Sequence, residues 1–112
     1  MTDASFAFHA DVEHDLDAFL LRPAHIRKQL GELHQRVCDL LLREHIEVPV
    51  DQYEVIGDAR LFALTHDGDD YSIVAYVALI GASAVGLHFA YIDSPDSLSQ
   101  ARTLARARLL NY

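Results

Sequence analysis

Residues 71–92, YSIVAYVALIGASAVGLHFAYI, contain no Asp, Glu, Lys or Arg, and this stretch decides how the rest of the chain is arranged. It is long enough for a membrane helix, which needs about 20 apolar residues. Its flanks at 67–70 and 93–96 are acidic, however, and no nearby Lys or Arg sets an orientation in a membrane. Its many β-branched residues and tyrosines favour strands, and Gly81 falls where a hairpin would turn. We therefore predict a buried β-hairpin and no membrane span.

One or two more strands are predicted upstream of this hairpin. Residues 52–57 and 59–66 are rich in β-branched, aromatic and other apolar residues. Gly57 and Asp58 interrupt that pattern, so the segment forms either two strands or one bent strand.

An acidic turn at 66–70, HDGDD, connects the upstream segment to the uncharged stretch. Asp-Gly in a tight hairpin turn supplies residues that adopt positive φ, so Gly68 is expected in that conformation. Strands 59–66, 71–80 and 84–92 then form an antiparallel meander. Both faces of the middle strand are apolar, which indicates that both are covered.

The N-terminal half contains two predicted amphipathic helices. The first follows Asp11, ends before Pro23 and has an apolar stripe at i, i+4, i+7 and i+8, formed by Val12, Leu16, Phe19 and Leu20. The second runs from 23 to 45, and its apolar residues alternate at spacings of four and three: Ile26, Leu30, Leu33, Val37 and Leu40. Residues 5–10 are expected to form either a short strand or a loose terminal arm.

A C-terminal helix is predicted from 95 to 110. Ser94 is its expected cap and Pro95 suits its first turn. Its inner stripe is formed by Leu98, Ala101, Ala105 and Leu109. Three arginines, Arg102, Arg106 and Arg108, are expected to flank that stripe and to complement the negative end of the helix dipole.

Together these elements predict one α+β domain over residues 1–112. Its sheet is three- or four-stranded, mainly antiparallel, and packed against the long helix 23–45 and the C-terminal helix 95–110. If the helices cover only one face of the sheet, the other face must meet a second copy of the chain or a bound protein. A homodimer is therefore one expectation.

The charge balance restricts the classes of partner. Seventeen acidic residues against nine basic ones give a formal net charge of -8, which argues against nucleic-acid binding and favours a partner with a basic surface. The single Cys38 cannot form an internal disulfide, and residues 1–11 lack the basic and apolar regions of a signal peptide. We therefore expect the protein in the cytoplasm.

No motif in the chain identifies a reaction, a metal or a cofactor. The seven histidines do not follow the usual zinc spacings. The acids at 67–70 lack the closing Glu of a calcium loop, because the twelfth residue from Asp67 is Ala78. Cys38 lies one helical turn after His34, but no third residue is placed to orient such a pair. We therefore expect no metal, no cofactor and no catalytic residue.

The leading hypothesis is a non-enzymatic protein-interaction module. Small size, negative charge and the missing catalytic motif are typical of inhibitors that occlude a partner protein, such as immunity proteins, antitoxins and phage-encoded inhibitors. The candidate partner-binding residues are acidic: Asp67, Asp69, Asp70, Glu54 and Asp58. Secretion chaperones, which are also small and acidic, are a related alternative.

A second class remains open, a ligand-binding or enzymatic α+β dimer with a pocket between sheet and helices. Its candidate lining residues are Tyr71, Tyr76, His88 and Tyr91. A cavity containing His88 and a tyrosine hydroxyl would favour this class. A filled core with an exposed apolar patch would favour the interaction module.

Overall fold

The structure, a computed structural model, describes residues 8–43, 48 and 50–112. Its elements are α1 (Val12–Asp17), α2 (Ala24–Leu41), a short 3-10 helix (Val50–Gln52), β1 (Tyr53–Ile56), β2 (Ala59–Asp67), β3 (Ser72–Ile80), β4 (Ser83–Ile92) and α3 (Pro95–Leu110). The strands form one four-stranded sheet in the order β1-β2-β3-β4, with every pair antiparallel. The predicted α+β class and meander are therefore confirmed. None of the described helices combines the length and the apolar character needed to cross a membrane.

The uncharged stretch forms the β3–β4 hairpin, as predicted. Ile80 pairs with Ser83, which leaves Gly81 at the first position of a two-residue loop with φ +62°. The β1–β2 loop is built in the same way around Gly57, which has φ +59°. Positive φ at the first loop residue alone is the pattern of type II′ turns, whose twist matches that of the flanking strands. Residues 52–57 and 59–66 thus belong to two strands.

The β2–β3 connection differs from the tight turn expected at 66–70. Gly68 does not have a positive φ, so the predicted reason for glycine at this position is wrong. Residues 68–71 form a wider loop, in which the Gly68 N–H donates to the Tyr71 carbonyl at 2.8 Å. A Cβ atom on Gly68 would overlap the Tyr71 ring. Close approach of that ring, and not backbone conformation, is what requires glycine here.

Helices cover both faces of the sheet. One face of the sheet buries Ile26, Leu30, Leu33 and Val37 of α2, Val12 of α1 and Phe19, which follows α1. On the opposite face, Ala101 and Ala105 of α3 pack against residues of β3 and β4. The premise of a wholly uncovered sheet face, which had suggested a homodimer, is therefore not met.

The start of α3 agrees with the cap predicted from the sequence, and the end of α2 agrees only in part. Ser94 accepts a hydrogen bond from the Ser97 N–H at 3.1 Å, and Ser97 Oγ accepts from the Ser94 N–H at 3.0 Å, so α3 begins with a capping box and Pro95 follows it. The α2 helix ends at Leu41, and the predicted extension to 45 lies partly outside the described residues.

Four predictions for single residues or short segments were wrong or lie partly outside the described residues. Leu98 was placed on the inner stripe of α3 but is 45% exposed. Leu20 was placed on the inner stripe of α1 but is 64% exposed, because α1 ends at Asp17. Arg108 was placed on the flank of α3 but is buried, 9% exposed. The predicted strand at 5–10 lies partly outside the described residues, which begin at Phe8. Phe8 forms a single parallel bridge with Gly86.

Candidate functional site

A buried polar cluster joins three elements that are distant in sequence. Asp15 of α1, His88 of β4 and Arg108 of α3 are 8%, 7% and 9% exposed. The Arg108 guanidinium binds the Asp15 carboxylate through two bonds, Nη1 to Oδ2 at 2.5 Å and Nη2 to Oδ1 at 2.9 Å. His88 Nδ1 lies 2.9 Å from Asp15 Oδ2. A bidentate, charge-assisted pair of this kind is among the stronger polar contacts in proteins.

A β-bulge brings His88 to this cluster. The pairing of β3 with β4 shifts between Tyr76 and Val77, which face His88 and Gly86, so Leu87 is an extra residue in β4. Bulges of this type increase the local twist and redirect the neighbouring side chains. At this bulge, the Leu87 carbonyl accepts a buried hydrogen bond from Arg108 Nη1 at 2.9 Å.

Asp15 of the cluster and the nearby His9 also satisfy backbone groups on the outer edge of β4, the last strand of the sheet. The Phe89 N–H donates to Asp15 Oδ2 at 3.1 Å, and the Gly86 carbonyl accepts from the His9 N–H at 2.8 Å. An open strand edge invites pairing with other chains. Asp15, Arg108 and His9 therefore serve a structural purpose at this edge.

Hydrogen-bond capacity fixes the tautomer of His88. Arg108 Nη1 also lies 3.3 Å from His88 Nδ1, but its two protons have nearer acceptors in Asp15 Oδ2 at 2.5 Å and the Leu87 carbonyl at 2.9 Å. The proton between His88 Nδ1 and Asp15 must then belong to the imidazole, which leaves a lone pair on Nε2 when the ring is neutral. Burial alone would raise the pKa of Asp15, but hydrogen bonds from His88, Arg108 and the Phe89 N–H and the charge of His88 together hold that pKa below its ordinary value.

A cleft of about 320 Å³ lies beside this cluster, between α1 and the end of β4. We call it the α1–β4 cleft; its lining residues are His14, Asp15, Ala18, Phe19, Arg22, His88, Phe89, Ala90 and Tyr91. The Arg22 guanidinium carbon sits 3.7 Å from the centre of the Tyr91 ring, and that ring stacks on Tyr71 with centroids 5.2 Å apart. The cleft thus combines an oriented imidazole, a cation on an aromatic platform and apolar walls.

A second concave region lies on the α3 face of the sheet, over β1 and β2. Four strands about 4.8 Å apart make a sheet roughly 19 Å wide, whereas one helix is about 10 to 12 Å across. The α3 helix packs mainly on β4 and to a lesser extent on β3. Leu61 and Ala59 of β2 are also buried on this face, so the strip without a described helix above it lies along β1 and the ends of β2. We call this strip the α3 groove.

The α3 groove has an apolar floor and hollows at both ends. One hollow, about 320 Å³, includes Leu61, Ala63, Tyr76, Leu98 and Arg102 among its lining residues. The other, about 530 Å³, is lined mainly by apolar residues, including Ile56, Ile80, Val85, Leu109 and Tyr112. Between them, Arg106 Nη2 lies 3.2 Å from Glu54 Oε1.

The acidic residues predicted to bind a partner do not form one cluster. Asp67, Asp69 and Asp70 lie at the end of the sheet where β2 ends and β3 begins, and Asp58 lies in the β1–β2 loop at the opposite end. Glu54 lies between the two ends, paired with Arg106. The start of α3 adds two further acids to the first end, Asp93 and Asp96. We call this group of five the acidic end.

The residues predicted to line a pocket separate in a similar way. His88 and Tyr91 both line the α1–β4 cleft, and Tyr71 contacts it only through its stacking on Tyr91. Tyr71 also donates a hydrogen bond to Gln29 of α2. Tyr76 is on the α3 face and lines the groove, where burial raises the pKa of its hydroxyl. The four residues therefore do not line one pocket, because Tyr76 lines a different hollow from His88 and Tyr91.

Sequence reasoning missed Asp15, Arg22 and Arg108. A signal existed for Asp15, which lies three residues after Val12 and four before Phe19 and so shares their inward stripe. Arg108 likewise follows Ala101 and Ala105 on the inner face of α3. A charge within an apolar stripe indicates a buried partner, because an unpaired buried charge is too costly.

Two other chemistries lack support in the described part of the chain. Cys38 Sγ lies 3.7 Å from His34 Nδ1, but burial and the charge of Asp39 raise the pKa of the thiol, so the thiolate is disfavoured. Burial also lowers the pKa of His34. Among residues 8–43, 48 and 50–112, no group of three or more His, Cys, Asp or Glu side chains has a metal-binding arrangement.

Comparison with known proteins gives no name to this arrangement. No protein-family model, no curated protein and no solved structure matches the chain.

Proposed function

We propose that the protein is an interaction module that binds an amphipathic helix of a basic partner protein in the α3 groove. The observation that carries the proposal is the pair of hollows on the α3 face, one at each end of the sheet and separated by the Arg106–Glu54 ion pair. A helix placed there would complete the layer as α1 and α2 do on the other face. Occlusion of the partner is the proposed mode of action, as in small acidic inhibitors.

Charge around the groove determines the chemistry of the partner. The acidic end, Asp67, Asp69, Asp70, Asp93 and Asp96, borders the hollow that contains Thr65, Val74 and Leu98. Asp51 and Glu54 line the same hollow. Two arginines, Arg102 and Arg106, line the α3 wall, and Glu54 pairs with the second. The excess of negative charge favours a helix with Lys or Arg on its flanks.

Exposed apolar side chains supply the anchoring surface. Leu98 is 45% exposed on the wall of the groove, and Leu110 and Tyr112, 74% and 61% exposed, border its far end. Apolar contacts of this kind hold a complex together, whereas charges mainly speed its formation. The half-buried Cys38, the only cysteine, fits a proposed cytoplasmic setting.

A charge introduced into the groove tests this proposal. Ala63 is an exposed floor residue on β2, and Ala63→Arg should block a docked helix without disturbing the core. The matched control is Val55→Arg, which places the same charge on β1 but on the α2 face, where Val55 is 67% exposed. Each bait would be used to capture proteins from the native host, with identification by mass spectrometry.

The expected result is a basic protein captured by the parent and by Val55→Arg and lost with Ala63→Arg. The captured protein should also bind the purified parent directly, through a peptide that gains helical circular dichroism on binding. Equal capture by all three baits would contradict the groove as the binding surface. A parent that is dimeric by light scattering, and monomeric as Ala63→Arg, would show that a second copy occupies the groove and would overturn the proposed partner.

A further inference from the structure

We infer that the α1–β4 cleft is a binding site for a small organic anion, with a carboxylate or phosphate group on an apolar body. This site is separate from the α3 groove, because the cleft lies at the β4 edge and the groove lies over β1 and β2. The two proposals can therefore fail independently.

The anion-binding group is Arg22. Its guanidinium carbon lies 3.7 Å from the centroid of the Tyr91 ring, so the contact uses the π face and none of the five N–H donors. Among the described residues, no carboxylate lies within salt-bridge distance of Arg22. A guanidinium that is held in place with free donors suits two oxygens of one carboxylate or phosphate.

The local charge of the cleft is opposite to that of the whole protein. Asp15 is the acidic lining residue, and its carboxylate is saturated by Arg108, His88 and the Phe89 N–H. Arg22 therefore leaves the cleft with a net positive charge in a chain of formal charge -8. His14, on the exposed side of α1, adds another nitrogen at the rim.

His88 supplies the second polar contact. Its Nδ1 is committed to Asp15, and Nε2 has no partner among the described residues. His88 Nε2 is not among the fully buried side-chain atoms without a partner, so it keeps some exposure to solvent, and His88 lines the cleft. In its neutral form, an imidazole held in this way accepts a hydrogen bond from a hydroxyl or amine of the ligand.

The remaining walls set the size and character of the ligand. Ala18, Phe19, Phe89 and Ala90 are apolar, and a volume of about 320 Å³ is at the small end of ligand pockets. The cleft contains no Ser, Thr or Cys among its lining residues. We propose binding of the anion at this site and no reaction of it.

Nuclear magnetic resonance titration of the full chain tests the inference. The probes are inorganic phosphate and mandelate, which carries a carboxylate, a hydroxyl and a phenyl ring, with neutral mandelamide as the matched control. Mandelate should give saturable shifts of the backbone amides of Ala18, His88, Ala90 and Tyr91, with weaker shifts from phosphate and none from mandelamide.

Two arginine variants separate site binding from general charge attraction. Arg22→Gln should weaken mandelate binding at least tenfold, and Arg27→Gln, an equal charge change on the exposed side of α2, should leave it unchanged. Tyr91→Leu should also weaken binding, because it removes the platform under Arg22. Equal loss in both arginine variants, shifts outside the cleft, or no saturable shift at probe concentrations of about 20 mM would overturn the inference.

Discussion

At the scale of single residues, one buried charge connects three elements of the structure. Asp15 accepts four hydrogen bonds, from Arg108 Nη1 and Nη2, His88 Nδ1 and the Phe89 N–H. These bonds connect α1, α3 and the edge strand β4. Removing one partner of such a pair leaves the other buried and uncompensated, which typically costs about 3 to 5 kcal/mol.

Asp15→Asn should therefore lower the free energy of unfolding by about 3 kcal/mol at pH 7. Asp17→Asn, on the exposed side of the same helix, is the matched control and should change stability by less than about 0.5 kcal/mol. Urea unfolding monitored by circular dichroism measures both. Equal stability of the two variants would show that the cluster contributes no net stabilisation.

The lowered pKa of Asp15 also predicts a pH dependence. Because the folded pKa is below the unfolded one, its contribution is fully present above the ordinary value of 3.8 and is lost as pH falls through the folded pKa. The stability difference between the parent and Asp15→Asn should thus be constant near neutral pH and shrink in acid. Urea unfolding at a series of pH values tests this, and a difference that grows in acid would contradict it.

Gly68 allows a second test at this scale. Gly68→Ala should cost about 1 to 3 kcal/mol, because its Cβ would overlap the Tyr71 ring. In a Tyr71→Ala background the same substitution should cost less than about 0.5 kcal/mol. A cost that is the same in both backgrounds would mean that backbone conformation, and not the Tyr71 ring, excludes a side chain at Gly68.

At the scale of elements, the chain uses amphipathic helices on both faces of one meander. Leu33, 1% exposed, lies at the centre of the α2 stripe. Leu33→Asp would bury a charge without a partner and should unfold the protein at 25 °C. Leu42→Asp is the matched control, because Leu42 at the end of α2 is 72% exposed and should tolerate the change. Far-ultraviolet circular dichroism compares the two, and a folded Leu33→Asp would contradict the assignment of this stripe to the core.

Most elements could be predicted from the sequence because their signals are local. The α2 periodicity, the Ser94 cap and the uncharged hairpin each depend on residues within a few positions of one another. The cluster of Asp15 with Arg108 could not be predicted in the same way, since its partners are 93 residues apart. The α3 groove depends on where α3 lies across the sheet, which periodicity does not determine.

At the scale of the whole molecule, the distribution of charge distinguishes two ends of the sheet. The acidic end groups five carboxylates next to one hollow of the α3 groove, and the opposite end has Asp58 beside a mainly apolar hollow. Charges placed at one end of a binding surface orient an approaching partner as well as attracting it. We therefore expect the association rate of a partner to depend on salt concentration and on the position of the charges.

The most direct measurement is the association rate of the captured partner at about 0.05 and 0.5 M salt. The Debye length contracts from about 14 Å to about 4 Å over this range, so association should slow several-fold while dissociation changes less. Asp69→Lys with Asp70→Lys should reproduce slow association at low salt; these residues are preferred because Asp67 accepts a hydrogen bond from Ser72 at 2.7 Å. Asp17→Lys with Glu32→Lys makes the same change in net charge on α1 and α2, which cover the other face of the sheet, and should slow association much less. Association that is independent of salt, or equally slow for both double variants, would contradict steering by the acidic end and binding in the α3 groove beside it.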